Sequence, residues 1–123
     1  MSKLEKVNLD DAFASFSETW RPRIGGEIND FQIKLVKLEG SFEWHHHEGE
    51  DELFLVIHGR LLMKLRDGDI ELGPGEYIIV PKGVEHCPVA LPTCSVVLFE
   101  PKTTLNTGNL ESDRTQRDLP SLA

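Results

Sequence analysis

Three consecutive histidines, His45, His46 and His47, close an apolar alternation, and an acidic residue, Glu52, follows five positions after the last of them. Side chains on a β-strand repeat every second residue, so His45 and His47 share one face and His46 points the other way. Glu52 opens the apolar run Leu53 to Ile57 after the acidic turn Glu48-Gly49-Glu50-Asp51. A hairpin at that turn would return its carboxylate to the two imidazoles. His86 offers a further imidazole from downstream. Three imidazoles and a carboxylate have the donor chemistry of a transition-metal site, softer than the all-oxygen shells that suit calcium or magnesium. On chemistry alone Glu50 or Asp51 could take the place of Glu52.

Positioning such a set requires short strands, and the sequence provides for them. Leu9, Phe13 and Phe16 recur at helical spacing, with Asn8 placed to cap and Asp10 and Asp11 in the first turn, which predicts a short amphipathic helix lying on the body of the domain. Trp20, Arg21-Pro22-Arg23 and Gly25-Gly26 end that period and lead into an extended segment. From Phe31 the period is two. Strands are predicted at Phe31 to Leu38, Ser41 to His47, Glu52 to His58, Leu61 to Arg66, Asp69 to Leu72, Glu76 to Val80, His86 to Leu91 and Cys94 to Glu100. Turn residues separate them: Gly40, Gly49, Gly59, Asp67-Gly68, Gly73-Pro74-Gly75, Pro81 to Gly83 and Pro92. About eight short strands at this spacing predict an all-β antiparallel barrel or jelly roll. One domain is expected in all: a lead-in with the helix over 1–30, the barrel over 31–101 and a tail over 102–123 whose pattern fades.

Composition narrows the partners. A chain of 123 residues fits a single core, and 39% hydrophobic with 28% charged residues is an ordinary globular balance. The net charge of −8 opposes binding to nucleic acid or to anionic membrane surfaces, both of which call for clustered Lys and Arg. With no apolar run of signal or membrane-span length, the expected location is cytoplasmic, and Cys87 and Cys94 are expected to be reduced thiols. The run Leu53 to Ile57 is apolar at every position, so both faces should be covered, the outer one by a packed element or a second subunit; a homodimer is expected.

The remaining polar and aromatic residues are read as structural. His58 shares parity with Glu52 and could face a pocket, though a core histidine donating to a carbonyl is the plainer reading. Tyr77 is read as a strand aromatic and Cys87 as a small buried hydrophobe. Lys34, Lys64 and Arg66 are assigned to solvated faces. Phe42 and Trp44 alternate with the histidines and are placed on the opposite layer, under the helix or at a subunit interface.

Gly40-x4-His45-x-His47-x4-Glu52-x6-Gly59 and Gly75-x5-Pro81-x-Gly83-x2-His86 resemble the two motifs of the cupin family. The motifs run from Gly40 to about Ala90, and the strand pattern extends the resemblance from Phe31 to Glu100. Two departures are visible: four residues in place of the usual five precede His45, and Ala90 stands where the second motif ends in Asn. The resemblance implies a cupin double-stranded β-helix in which His45, His47, Glu52 and His86 hold one divalent transition metal ion: iron, manganese, nickel, cobalt or zinc. Among the three carboxylates, only Glu52 keeps the interval to Gly59. Such a set leaves two positions of an octahedron open for a small oxygen-rich ligand.

The resemblance is to small cupins often described as like mannose-6-phosphate isomerase, but no Gly-rich loop opening a helix and no dense basic cluster forms a phosphate cradle. Three functions follow for such a site. The first is a metalloenzyme with isomerase, lyase or oxygenase chemistry on a small-molecule substrate. The second is a non-catalytic, metal-dependent small-molecule binding or sensing protein. The third is a barrel that the ion merely staples.

Overall fold

The computed structural model describes residues 4–110 and 112–122; Met1 to Lys3, Glu111 and Ala123, which belong to the lead-in and tail of the sequence reading, lie outside the described residues. The elements are α1 (Leu9–Ala14), β1 (Arg23–Ile28), β2 (Phe31–Ser41), β3 (Glu52–Leu65), β4 (Gly68–Leu72), β5 (Tyr77–Val80) and β6 (His86–Pro101). All strand pairs are antiparallel, in the order β1-β2-β6-β3-β4 with β5 on β3.

The all-β jelly roll with one short helix is as expected, but the strand count is not. Six strands stand where eight short ones were predicted: Gly59 and Pro92 lie inside β3 and β6 and so merge two predicted pairs, most of Ser41 to His47 forms no strand, and the extended segment before Phe31 forms β1. At Gly59 the ladder of β3 with β6 shifts register on either side, between Val56 and His58 and again between Gly59 and Leu61. Its φ is +80°, and a Cβ there would lie 2.2 Å from the carbonyl oxygen of Thr93. A glycine is the residue that permits this approach, and the register shift around it lets the two halves of β3 take different partners within one six-stranded sheet. Before the bend β3 pairs with β5 and with the Cys94 to Phe99 half of β6; after it, with β4 and the His86 to Ala90 half.

Folded over in this way, the two halves pack their inner faces together. Phe54, Val56, Leu61, Met63, Leu72, Ala90, Val96 and Leu98 meet in one buried cluster. Helix α1 seals a second cluster on the outside, where Phe13, Phe16 and Leu35 pack with Ile57 and Val97. Asn8 caps the helix as predicted, its side chain accepting from the Asp11 amide. Burial of Phe13 alone contributes about 1.5–3 kcal/mol, so the helix is held by packing rather than by its six residues of hydrogen bonding.

The tail folds across the mouth of the barrel. Asn109 and His46 exchange hydrogen bonds, the Asn109 amide donating to the His46 carbonyl and the His46 amide to Asn109 Oδ1, both at 2.9 Å. Arg114 donates to the Ser41 carbonyl at 2.8 Å, and its guanidinium lies over Trp20 and Phe42 at 5.3 and 5.5 Å. Among the described residues no helix is long and apolar enough to cross a membrane.

Candidate metal centre

The segment carrying the histidine run is not the regular strand predicted for Ser41 to His47. β2 ends at Ser41, and the segment is fixed instead by single attachments on both sides. His45 forms a bridge with His86, amide to carbonyl in both directions at 3.0 and 2.9 Å, and the His47 carbonyl accepts from Gly83 at 2.7 Å. The parity argument nevertheless holds. His45 and His47 are buried, whereas His46 turns outward to Glu48. Glu52 is the first residue of β3 and His86 the first of β6, so the bend at Gly59 is what gathers the four.

Their donor atoms all lie within 4.8 Å of one another, and every one of the four residues is buried. Metal bonds of about 2.0–2.2 Å to imidazole nitrogen and carboxylate oxygen call for donors roughly 3–4 Å apart. Glu52 Oε1 stands 3.2 Å from His47 Nε2 and 3.5 Å from His86 Nε2. The outer nitrogens of two imidazoles are committed: His45 Nδ1 pairs with the Glu43 carbonyl and His86 Nδ1 with the Val84 carbonyl, each at 2.9 Å. Both carbonyls need a donor, which places the hydrogen on Nδ1 and leaves the Nε2 lone pair facing inward. His47 Nε2, His86 Nε2 and Glu52 Oε1 are buried without a hydrogen-bond partner. Buried polar atoms rarely stay orphaned, and a cation at their centre satisfies all three at once.

Electrostatics agree with neutral imidazole beside ionised carboxylate. Burial, then the neighbouring His86, lowers the His45 pKa to about 4. Burial works to raise the Glu52 carboxyl, yet its interactions with Glu100, His47 and His86 outweigh that and hold it well below the usual carboxylate range. Burial, reinforced by the Glu52 charge, pushes Glu100 well above that range.

Glu100 and Lys34 are the residues that sequence reasoning missed. Lys34, assigned to a solvated face, is 2% exposed, and its Nζ donates to Glu100 Oε2 at 2.7 Å beside the four donors. The signal was parity: Lys34 stands in step with Val36 and Leu38, and Glu100 with Val96 and Leu98, all pointing inward. Phe42 is also corrected. It lines the pocket, stacked on Trp20 at 4.7 Å and edge-on to His45 at 5.4 Å, and does not pack under the helix. Trp44 carries the Arg66 guanidinium at 3.8 Å. His58 is turned outward by the bulge beside it and pairs with Asp10 of the helix at 2.9 Å, so neither the pocket nor a core carbonyl receives it. Tyr77 is exposed. Cys87 and Cys94 are free and buried, and burial pushes the Cys94 thiol up to about 12. The pocket itself measures ≈ 50 Å³, walled by Trp20, Phe42, Phe54 and Leu98 with His45, Glu52, Lys34 and Glu100 at its polar end.

Compared with known families, residues 33–101 match the cupin domain model. The chain belongs to the cupin family. Among solved cupins, a cupin-2 domain protein of Shewanella frigidimarina is 46% identical, with a TM-score of 0.77 over 78% of this chain and 94% of that one. The Bacillus subtilis protein YdbB is 38% identical over 49% of this chain and 54% of its own length. Acireductone dioxygenase of the same organism is 33% identical over 48% of this chain and 36% of its own. This cupin therefore spans about half or less of the curated relatives it matches. Its buried His-His-Glu-His group fits a metal site.

Proposed function

We propose that His45, His47, Glu52 and His86 hold one divalent transition metal ion, drawn from iron, manganese, nickel, cobalt and zinc, and that the protein is a metalloenzyme acting on a small oxygen-rich metabolite. The observation that carries this is the set of orphaned donor atoms, His47 Nε2, His86 Nε2 and Glu52 Oε1, turned toward one another in a buried site. A bound ion supplies Lewis acidity to a ligand oxygen. The chain does the rest: His45 and His86 are oriented through Nδ1, the aromatic pair Trp20 and Phe42 excludes water, and the tail covers the opening. The likeness to acireductone dioxygenase supports enzymatic over purely structural use of the site, on a matched region of about one third of that enzyme.

Elemental analysis of untagged protein purified without added metal or chelator tests the site. Near-stoichiometric metal is expected, and none in His86→Ala. Turnover of a candidate substrate that disappears in His45→Ala then supports the enzyme. The pocket's small volume and its cover by Arg114 favour a second reading, retention of a ligand without turnover; metal-dependent affinity with no product would select it.

The outer face supports a homodimer. Phe31 and Phe99 stack at 5.1 Å, and Tyr77 and Ile79 are 62% and 57% exposed beside half-buried Leu53 and Leu55. A second copy laid on this apolar face removes it from water. Sedimentation at micromolar concentration should give twice the chain mass of 13.9 kDa.

A further inference from the structure

Of the four donors, His45 and Glu52 line the pocket, so the cavity opens on the donor set from that side. The rest of its wall offers a ligand little to bond. Lys34 is committed to Glu100 at 2.7 Å, and Glu100 is in side-chain hydrogen-bond contact with Glu52. Asn106, which the tail contributes, is used at both ends: Nδ2 donates to the Arg114 carbonyl and Oδ1 accepts from the Gln116 amide. Apart from these the wall is apolar, with Val36, Leu98, Phe42 and Trp20 among its members.

Trp20 reaches this wall through an uncommon backbone. Its φ is +61°, in the left-handed region that a residue with a Cβ enters at a cost, and such strain persists only where the surroundings hold it. Here its amide donates to the Lys37 carbonyl at 2.8 Å and its Nε1 to the Glu39 carbonyl at 3.0 Å. With its one polar side-chain atom bonded to β2, the indole has only carbon left to offer the pocket, and it is stacked on Phe42 at 4.7 Å. A ligand hydroxyl beside it would give up water and gain no partner, whereas an alkyl group would gain by leaving water.

We propose that Trp20 is a specificity-determining residue: it receives the short alkyl group of a ligand whose oxygens gather at the His45 and Glu52 end, and it disfavours a hydroxyl in the same place. This deepens the metalloenzyme reading above and rests on it. The ligand class is that of short-chain alkyl oxo and hydroxy acids rather than polyhydroxylated compounds. Since one water takes about 10–15 Å³, a cavity of ≈ 50 Å³ keeps the alkyl group short.

Propionohydroxamate and glycolohydroxamate carry the same chelating head and differ by a methyl group against a hydroxyl. Each is titrated into the cobalt-loaded protein while its visible spectrum is followed, and the ratio of the two affinities is divided by the same ratio for aqueous cobalt. Wild type should favour the propionyl compound by about 10- to 100-fold. In Trp20→Ala that preference should fall about tenfold with cobalt stoichiometry unchanged, and Trp20→Phe, which keeps an apolar ring, should retain it. If Trp20→Ala does not fold, Trp20→Gln replaces it; its amide fills more of the space, gives a hydroxyl a partner and should lower the preference likewise. A wild type without preference would overturn the proposal, as would an unchanged preference in the alanine or glutamine variant, or cobalt-loaded wild type that binds neither compound. Failure of the wild type to take up cobalt strikes the metal reading itself, which the stoichiometry reports separately from the ratio.

Discussion

The two faces of the sheet formed by β2, β6, β3 and β5 invert the usual order of a soluble protein. Its inner face holds Lys34, Glu100 and Glu52 among Val36, Leu98 and Phe54, whereas its outer face shows Ile79, Tyr77 and Phe31 to the surroundings. Charge inside is costly unless every oxygen and nitrogen is matched, and apolar groups outside cost little singly. The inner charges therefore point to something the pocket binds, and the outer apolar row to something that covers it. The same alternating sequence writes both, since neighbours along one strand point to opposite faces.

The largest effect that could break this contrast lies at the four inner donors. His47→Ala and His86→Ala should each reduce metal content from near one per chain to near zero, while His46→Ala, outward-facing, should leave it intact; equal loss in all three would sink the parity argument. Next comes Lys34→Met, which leaves the buried Glu100 Oε2 without its hydrogen-bond donor. It should destabilise the fold by about 1–3 kcal/mol in urea titration, with much of that recovered on adding Glu100→Leu.

A comparable effect belongs to His45. Its pKa is lowered to about 4 in the folded protein, against 6.5 when free, so the unfolded chain binds the extra proton first. Stability contributed by this residue is complete above pH 6.5 and is lost as pH falls toward 4, by about 2–3 kcal/mol. Denaturant midpoints of metal-free protein that stay flat across that window would contradict a neutral buried imidazole. The smallest change belongs to the outer face. Ile79→Lys should alter monomer stability by no more than about 0.5 kcal/mol, yet it should shift sedimentation from dimer to monomer. A large stability loss there would show that the outer row is core.

Much of this was legible in the sequence, and the exceptions share a cause. His45 and His47 were readable because a period of two survives even where a strand does not: they stay on one side although a single bridge holds their segment; Glu52 and His86 were singled out by the resemblance to the cupin motifs. The helix was readable from Asn8, Leu9 and Phe13 because caps and apolar spacing are local. What failed was reading past a bulge. Gly59 was taken as the end of a strand when it bends one, and the register shift beside it turned His58 away from the face that parity with Glu52 assigned. Lys34 and Glu100 failed for another reason. Charged residues are solvated by default, and only their partners across the barrel, 66 positions apart, make burial affordable. The tail's path was left open by its lack of periodicity, and it is fixed by side chains such as Asn109 and Arg114 rather than by pattern.

The exchange between Asn109 and His46 bears on time as well as place. Two of the four donors sit on a segment with no ladder of its own, and the tail backs that segment so closely that a Cβ on Gly108 would lie 2.2 Å from the His46 carbonyl oxygen. An ion held there would enter and leave through the same parting of this segment, so the tail would slow both steps alike. A chain cut after Thr104 would then exchange an ion faster with little change in affinity.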